Sequence, residues 1–135
     1  MKQLDDAVLV AGQINANDLR QAADAHVSVV VNHRMAGEEY GQPSSEQMHQ
    51  MCADAGVRYL EIPVAGLPDQ AAVQATLAAI DSLAPGERIL LFCRSGMRSS
   101  AAWAMAERMR DTPVDAETLR EKALAAGYDL SRVPL

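Results

Sequence analysis

Cys93-Arg94-Ser95-Gly96-Met97-Arg98-Ser99-Ser100 gathers a thiol, two guanidinium groups, a glycine and three hydroxyls into one short stretch. The combination suits nucleophilic attack on an anion. The thiolate is the reactive form of cysteine, and a helix N-terminus or a cationic neighbour favours it. Gly96 tolerates backbone conformations closed to other residues, so the chain can curl there and turn N–H groups inward as an anion nest. Arg94 and Arg98 add permanent charge on planar forks that match oxyanions. Ser99 or Ser100 is expected to donate a hydrogen bond to the same sulfur. A lone cysteine is more often a small core residue. Packing, however, gives no reason for two arginines in the turn that follows.

A strand must deliver this loop and a helix must carry it away. Arg88-Ile89-Leu90-Leu91-Phe92 is a continuous apolar run of the kind that is buried on both faces of a sheet. An Ala-rich helix follows, from Ala101 to about Arg110, and Thr112-Pro113 breaks it. Upstream, Ala7–Ala11 reads as a strand, Asn15–Asp18 caps a helix to about Ala25, and Val27–Val31 is a second buried strand. Ser44 with Gln47 forms a capping-box pattern for a helix over Ser45–Ala55, stopped by Gly56. Tyr59–Val64 reads as another strand. Asp69 opens a helix carried by Val73, Leu77, Ile80 and Leu83, and Asp115 caps a last helix to Ala126. Strands that each feed a helix predict a three-layer α-β-α domain, with a mostly parallel sheet of about four to five strands. Ligands in such sheets bind at the carboxyl ends of strands, where Cys93 lies.

The chain has 135 residues, enough for one domain, 1–135, with its own core. Its net charge is −6, which argues against a nucleic-acid or anionic-membrane partner. No apolar run approaches the length of a membrane span. The opening residues turn acidic at Asp5-Asp6 without an apolar signal segment, and the two cysteines suit reduced thiols. A cytoplasmic location is the expectation. No His, Cys and carboxylate cluster has ligand spacing, so neither metal nor cofactor is expected.

The segment Cys93-Arg94-Ser95-Gly96-Met97-Arg98 resembles the active-site loop of rhodaneses, the sulfurtransferases. It is also similar to the protein tyrosine phosphatase signature, in which five residues separate Cys from Arg; here there are four. Most of the chain resembles a third grouping, the DUF442 or beta-lactamase-hydrolase-like phosphatase-like domain family. The matching stretches are Ala11-Gly12-Gln13-Ile14, Val31-Asn32-His33-Arg34, Gly37-Glu38-Glu39, Gly41-Gln42-Pro43-Ser44, Ala55-Gly56-Val57-Arg58-Tyr59, Ile62-Pro63-Val64 and the Cys93 loop. Where the family usually shows Asn-Asn-Arg-Pro-Asp-Gly-Glu, this chain has Asn32-His33-Arg34-Met35-Ala36-Gly37-Glu38. The resemblance implies a protein-tyrosine-phosphatase-like fold. The family also occurs joined to sulfide-oxidising domains, which implies persulfide chemistry and a sulfide-oxidising enzyme as partner.

Three functions compete. In the favoured one, the Cys93 thiolate takes sulfane sulfur from thiosulfate or a persulfide, and the Cys93 persulfide passes it to a thiol or cyanide-type acceptor. The short loop decides this preference, because it makes a tight bowl. The alternative is phosphomonoester hydrolysis through a phosphocysteine, with Arg98 as clamp and Asp69 as general acid. Pro68-Asp69 is better suited to capping the helix after it. The third is an oxyanion-binding module without turnover. The expected catalytic residues are therefore Cys93, Arg98 and Asp69, with Arg94, Ser95, Gly96, Met97, Arg98 and Ser99 as the anion-binding loop. Asn32, Arg34 and Glu38 leave a neighbouring strand end and are expected to wall the pocket, while Arg34 and Glu38 also suit a loop clasp. Met97 could form an apolar lip. Cys52 and Trp103 read as core, and His49 as solvated.

Overall fold

A computed structural model describes residues 1–135. Five strands form one sheet: β1 (Lys2–Gln3), β2 (Val8–Ala11), β3 (Val27–Asn32), β4 (Arg58–Glu61) and β5 (Arg88–Phe92), in the order β1-β2-β5-β3-β4. All neighbours run parallel except the β1–β2 pair at one edge. Five helices surround it: α1 (Ala16–Asp24), α2 (Ser45–Ala55), α3 (Gln70–Asp81), α4 (Met97–Arg108) and α5 (Ala116–Ala125). This is a three-layer α-β-α fold with a mostly parallel sheet.

Strand side chains alternate between two cores, as the period of two requires. Val8, Val10, Val29, Val31, Ile89 and Leu91 face α3, α4 and α5, where Ile80, Trp103 and Leu119 meet them. Leu9, Val30, Leu90 and Phe92 face α1 and α2, against Leu19, Met48 and Cys52. Cys52 and Trp103 are fully buried, as the sequence suggests, and burial pushes the Cys52 thiol up to about 11. Each large apolar side chain so buried contributes roughly 1.5–3 kcal/mol.

Two boundaries differ from the sequence expectation. The short β1 carries no apolar alternation, and it pairs only because Lys2 and Gln3 fold back along Val10 and Leu9. The strand expected to reach Val64 ends at Glu61, since Pro63 cannot donate to a ladder. Helix α4 begins at Met97, close to the start near Arg98 that the anion nest requires and four residues before the Ala-rich stretch, so the end of the anion loop is itself the first helical turn.

Helices after β2 and β3 cover one face, and those after β4 and β5 cover the other. The chain direction therefore switches face between β5 and its two neighbours. A crevice at the carboxyl ends of these strands is the usual place for a ligand in such sheets.

Candidate active site

Cys93 follows β5 directly, and its N–H donates to the Ala11 carbonyl at the end of β2. It is fully buried. Its sulfur accepts a hydrogen bond from the Gly96 N–H at 3.0 Å. Gly96 has φ +99°, the left-handed region that an L side chain rarely adopts, and this turns the loop inward. The N–H groups of Arg94, Ser95, Arg98 and Ser99 have no protein partner, so they remain available to an anion at the start of α4.

Arg98 is the second part of the site. Its Nη1 donates to Glu38 Oε1 at 2.8 Å and to the Val64 carbonyl at 2.6 Å, and Nη2 donates to Glu38 Oε2 at 2.6 Å. A guanidinium has five N–H bonds. The Nε–H and the second Nη2–H, side by side on one edge, make no hydrogen bond to a protein oxygen, and the Cys93 sulfur is close enough to add to the charge of the guanidinium. That edge is the one a tetrahedral oxyanion takes with two parallel hydrogen bonds. Glu38 beside it, and then the Cys93 sulfur, hold the guanidinium firmly charged.

Glu38 belongs to the polar stretch after β3 and is the centre of a clasp. Besides Arg98 it accepts from the Met35 N–H at 2.9 Å and from Arg34 Nε at 3.1 Å. The Arg98 hydrogen bond, followed by those from Met35 and Arg34, outweighs partial burial and pulls its carboxyl down to about 2. Arg34 is itself buried and also donates to Gln13 at 2.6 Å and to Glu39 at 3.3 Å. The clasp expected of Arg34 and Glu38 is thus present, and it extends to Arg98.

Other expectations are corrected. Arg94 does not sit over the sulfur: its side chain is largely exposed and its Nε pairs with Glu39 at 2.8 Å. Its carbonyl accepts from the Gln13 N–H at 3.3 Å, and a Cβ on Gly12 would meet that oxygen at 2.9 Å. Neither serine donates to Cys93. The Ser100 hydroxyl donates back to the Gly96 carbonyl at 2.8 Å, and Ser99 lies 2.8 Å from His33 Nδ1. Asn32 faces sideways, donating to the Tyr59 hydroxyl at 2.9 Å and accepting from the Arg34 N–H at 2.8 Å. It braces the loop rather than lining the pocket. Ser95 Oγ accepts from the Met97 N–H at 3.3 Å, and Met97 packs partly against the core under α4. Asp69 caps α3, accepting from the Ala72 N–H at 2.8 Å, and makes no hydrogen bond to the Cys93 loop.

Four residues of the site escaped the sequence reading. His33 is buried beside the loop; Gln13 and Glu39 complete the clasp. Tyr128, past α5, lays its ring over Gly96 and donates its hydroxyl to the Ser95 carbonyl at 3.0 Å. Only Glu39, next to Glu38 in an acidic pair, had a local signal. Beside Arg98 runs a groove of about 330 Å³, walled by Leu67, Pro68, Met97, Arg132 and Val133.

Comparison with known proteins adds to this geometry. The family model described as "Beta-lactamase hydrolase-like protein, phosphatase-like domain" matches residues 1–110. Beta-lactamase hydrolase-like proteins of two Xylella fastidiosa strains are 27% identical over 130 residues, which is 96% of this chain and 30% of theirs. The chain therefore spans under a third of the length of those relatives. A candidate phosphatase from Neisseria meningitidis superposes with TM-score 0.82 at 26% identity, covering 97% of this chain and 91% of its own. PTPMT1 shares the fold at TM-score 0.73 and 20% identity, over 98% of this chain and 88% of its own.

Proposed function

The chain belongs to the family of beta-lactamase hydrolase-like protein, phosphatase-like domains, and from this premise we propose that it is a cysteine-dependent phosphatase hydrolysing small phosphomonoesters. One observation carries the reading. The Gly96 N–H reaches the Cys93 sulfur, and Glu38 holds Arg98 by one edge so that its other edge is free for two oxygens of the ester. The phosphatase description of the family and of the Neisseria protein supports the same chemistry. Sulfur transfer, favoured on loop length alone, draws no support from these relatives.

In the proposed reaction the Cys93 thiolate attacks phosphorus. The bond from phosphorus to the ester oxygen breaks as the sulfur–phosphorus bond forms. Arg98 and the loop N–H groups bind the equatorial oxygens and stabilise their charge. Asp69 gives its proton to the departing oxygen. Its carboxylate then takes a proton from water, which attacks phosphorus, releases phosphate and restores the thiolate. Asp69 supports this role by its place between β4 and α3 at the same sheet end, and one carboxylate oxygen suffices for the cap. The apolar groove beside Arg98 suits an ester with an aromatic or other apolar alcohol. Residues 1–135 act in this reading as one catalytic unit.

The test is hydrolysis of p-nitrophenyl phosphate with intact-mass analysis after acid quench. The wild-type chain should turn over and trap one phosphoryl group; Cys93→Ser should do neither. Absence of turnover together with gain of one sulfur from thiosulfate would replace this reading by sulfur transfer. Asp69→Asn keeps a good helix cap. It should slow alkyl phosphates at least tenfold more than the nitrophenyl ester, whose leaving group needs little protonation. Equal effects on both would remove Asp69 from the chemistry.

A further inference from the structure

We propose that His33 is a positioning residue for the Cys93 loop, acting through the hydroxyl of Ser99. The proposal rests on the reading of Cys93 as the nucleophile. His33 stands just beyond β3 and touches the site from three directions. Its N–H donates to the carbonyl of Phe92, the residue before Cys93, at 2.8 Å. Its carbonyl accepts from the Val64 N–H at 2.9 Å, and the Val64 carbonyl in turn accepts from Arg98 Nη1 at 2.6 Å. Its ring, fully buried, bridges Ser99 Oγ at 2.8 Å and Thr76 Oγ1 at 3.0 Å.

The direction of these bonds follows from proton counting. Thr76 donates its only hydroxyl proton to the Ala72 carbonyl at 2.8 Å, so towards His33 it accepts. Nε2 therefore carries hydrogen and Nδ1 presents a lone pair. The Ser99 hydroxyl must donate to that lone pair. A neutral ring is required, and burial, then the charge of Arg98, push His33 down to about 4. The relay ties the first turn of α4, which holds Arg98 and Ser99, to the first turns of α3. Both helix starts are thereby fixed relative to the sulfur. Positioning of this kind matters because an anion cradle stabilises charge only when its donors are already aimed.

Two substitutions separate the arms. In His33→Asn the amide oxygen takes the place of Nδ1 and keeps Ser99 while losing Thr76. In His33→Gln the amide nitrogen takes the place of Nε2 and keeps Thr76 while losing Ser99. The measurements are the iodoacetamide alkylation rate of Cys93 at pH 7 and kcat for p-nitrophenyl phosphate, both on the full chain. His33→Gln should lower each about tenfold, the effect of one buried hydrogen bond, and His33→Asn should stay within about twofold of wild type. Ser99→Ala should reproduce the loss and add nothing to His33→Gln; it carries the comparison alone if that variant does not fold. A merely loosened fold would raise alkylation rather than lower it. Wild-type rates in His33→Gln, equal losses in both variants, or losses that multiply in the double variant would each overturn the proposal. If the wild-type chain hydrolyses no ester, the functional reading falls, while the alkylation rates still decide the role of His33.

Discussion

Glu38 shows how much one carboxylate can organise. It binds Arg98 through both oxygens and Arg34 through one of them. Glu38→Gln keeps the shape but replaces one of the two carboxylate acceptors of Arg98 by an amide nitrogen and removes the charge, so kcat/KM for p-nitrophenyl phosphate should fall about 10–100-fold, a loss of about 1.4–2.8 kcal/mol of transition-state stabilisation. Its titration gives a second expectation. A carboxyl held at about 2 against an ordinary 4.5 contributes stability that is complete above the ordinary value and lost as pH falls towards the folded one. His33 acts in the same direction for the opposite reason, since it is buried uncharged. Below its ordinary value of 6.5 the unfolded chain takes up a proton that the folded chain refuses until about 4. Stability should drop between those two pH values by on the order of 2–3 kcal/mol, and His33→Asn, which cannot titrate, should flatten that drop in thermal melts. The sequence made Cys93, Arg98 and Glu38 visible because their types announce chemistry. It could not show that Ser99 donates to His33 instead of sulfur, because that depends on residues far apart in the chain meeting in the core.

At the scale of elements, the loop works because a glycine starts α4. Gly96 has φ +99°, and a Cβ there would fall against the hydroxyl and ring of Tyr128. Gly96→Ala should destabilise the chain by about 2 kcal/mol or more in denaturant melts and remove most turnover. Adding Tyr128→Ala should recover only the steric share, since the backbone strain remains. Helices α1, α2, α3 and α5 start where the sequence placed them, because Asn15, Ser44, Asp69 and Asp115 all cap through their side chains. Helix α4 has no such side-chain cap. The N–H groups of its first turn therefore stay free for the anion.

At the scale of the molecule, the alternation of apolar strands and helices was enough to fix the layered architecture, because buried parallel strands leave few other arrangements. The sequence did not reveal that the segment after α5 returns to the site. Tyr128 covers the Gly96 turn, and Arg132 and Val133 wall the groove beside Arg98. Val133→Asp should raise KM for naphthyl phosphate several-fold more than for a small alkyl phosphate, as expected when an apolar wall turns polar. Equal changes for both esters would separate the groove from substrate choice.

That wall lies beyond residue 110, where the family model ends, whereas Cys93, Arg98 and Glu38 lie inside the matched stretch. The groove beside Arg98 thus joins walls from both parts of the chain, Leu67, Pro68 and Met97 inside the matched stretch and Arg132 and Val133 beyond it. The far wall of the groove can therefore change its shape without any change in Cys93, Arg98 or Glu38. Substitutions at Arg132 and Val133 should accordingly reshape the groove and leave the contact between Gly96 and Cys93 in place.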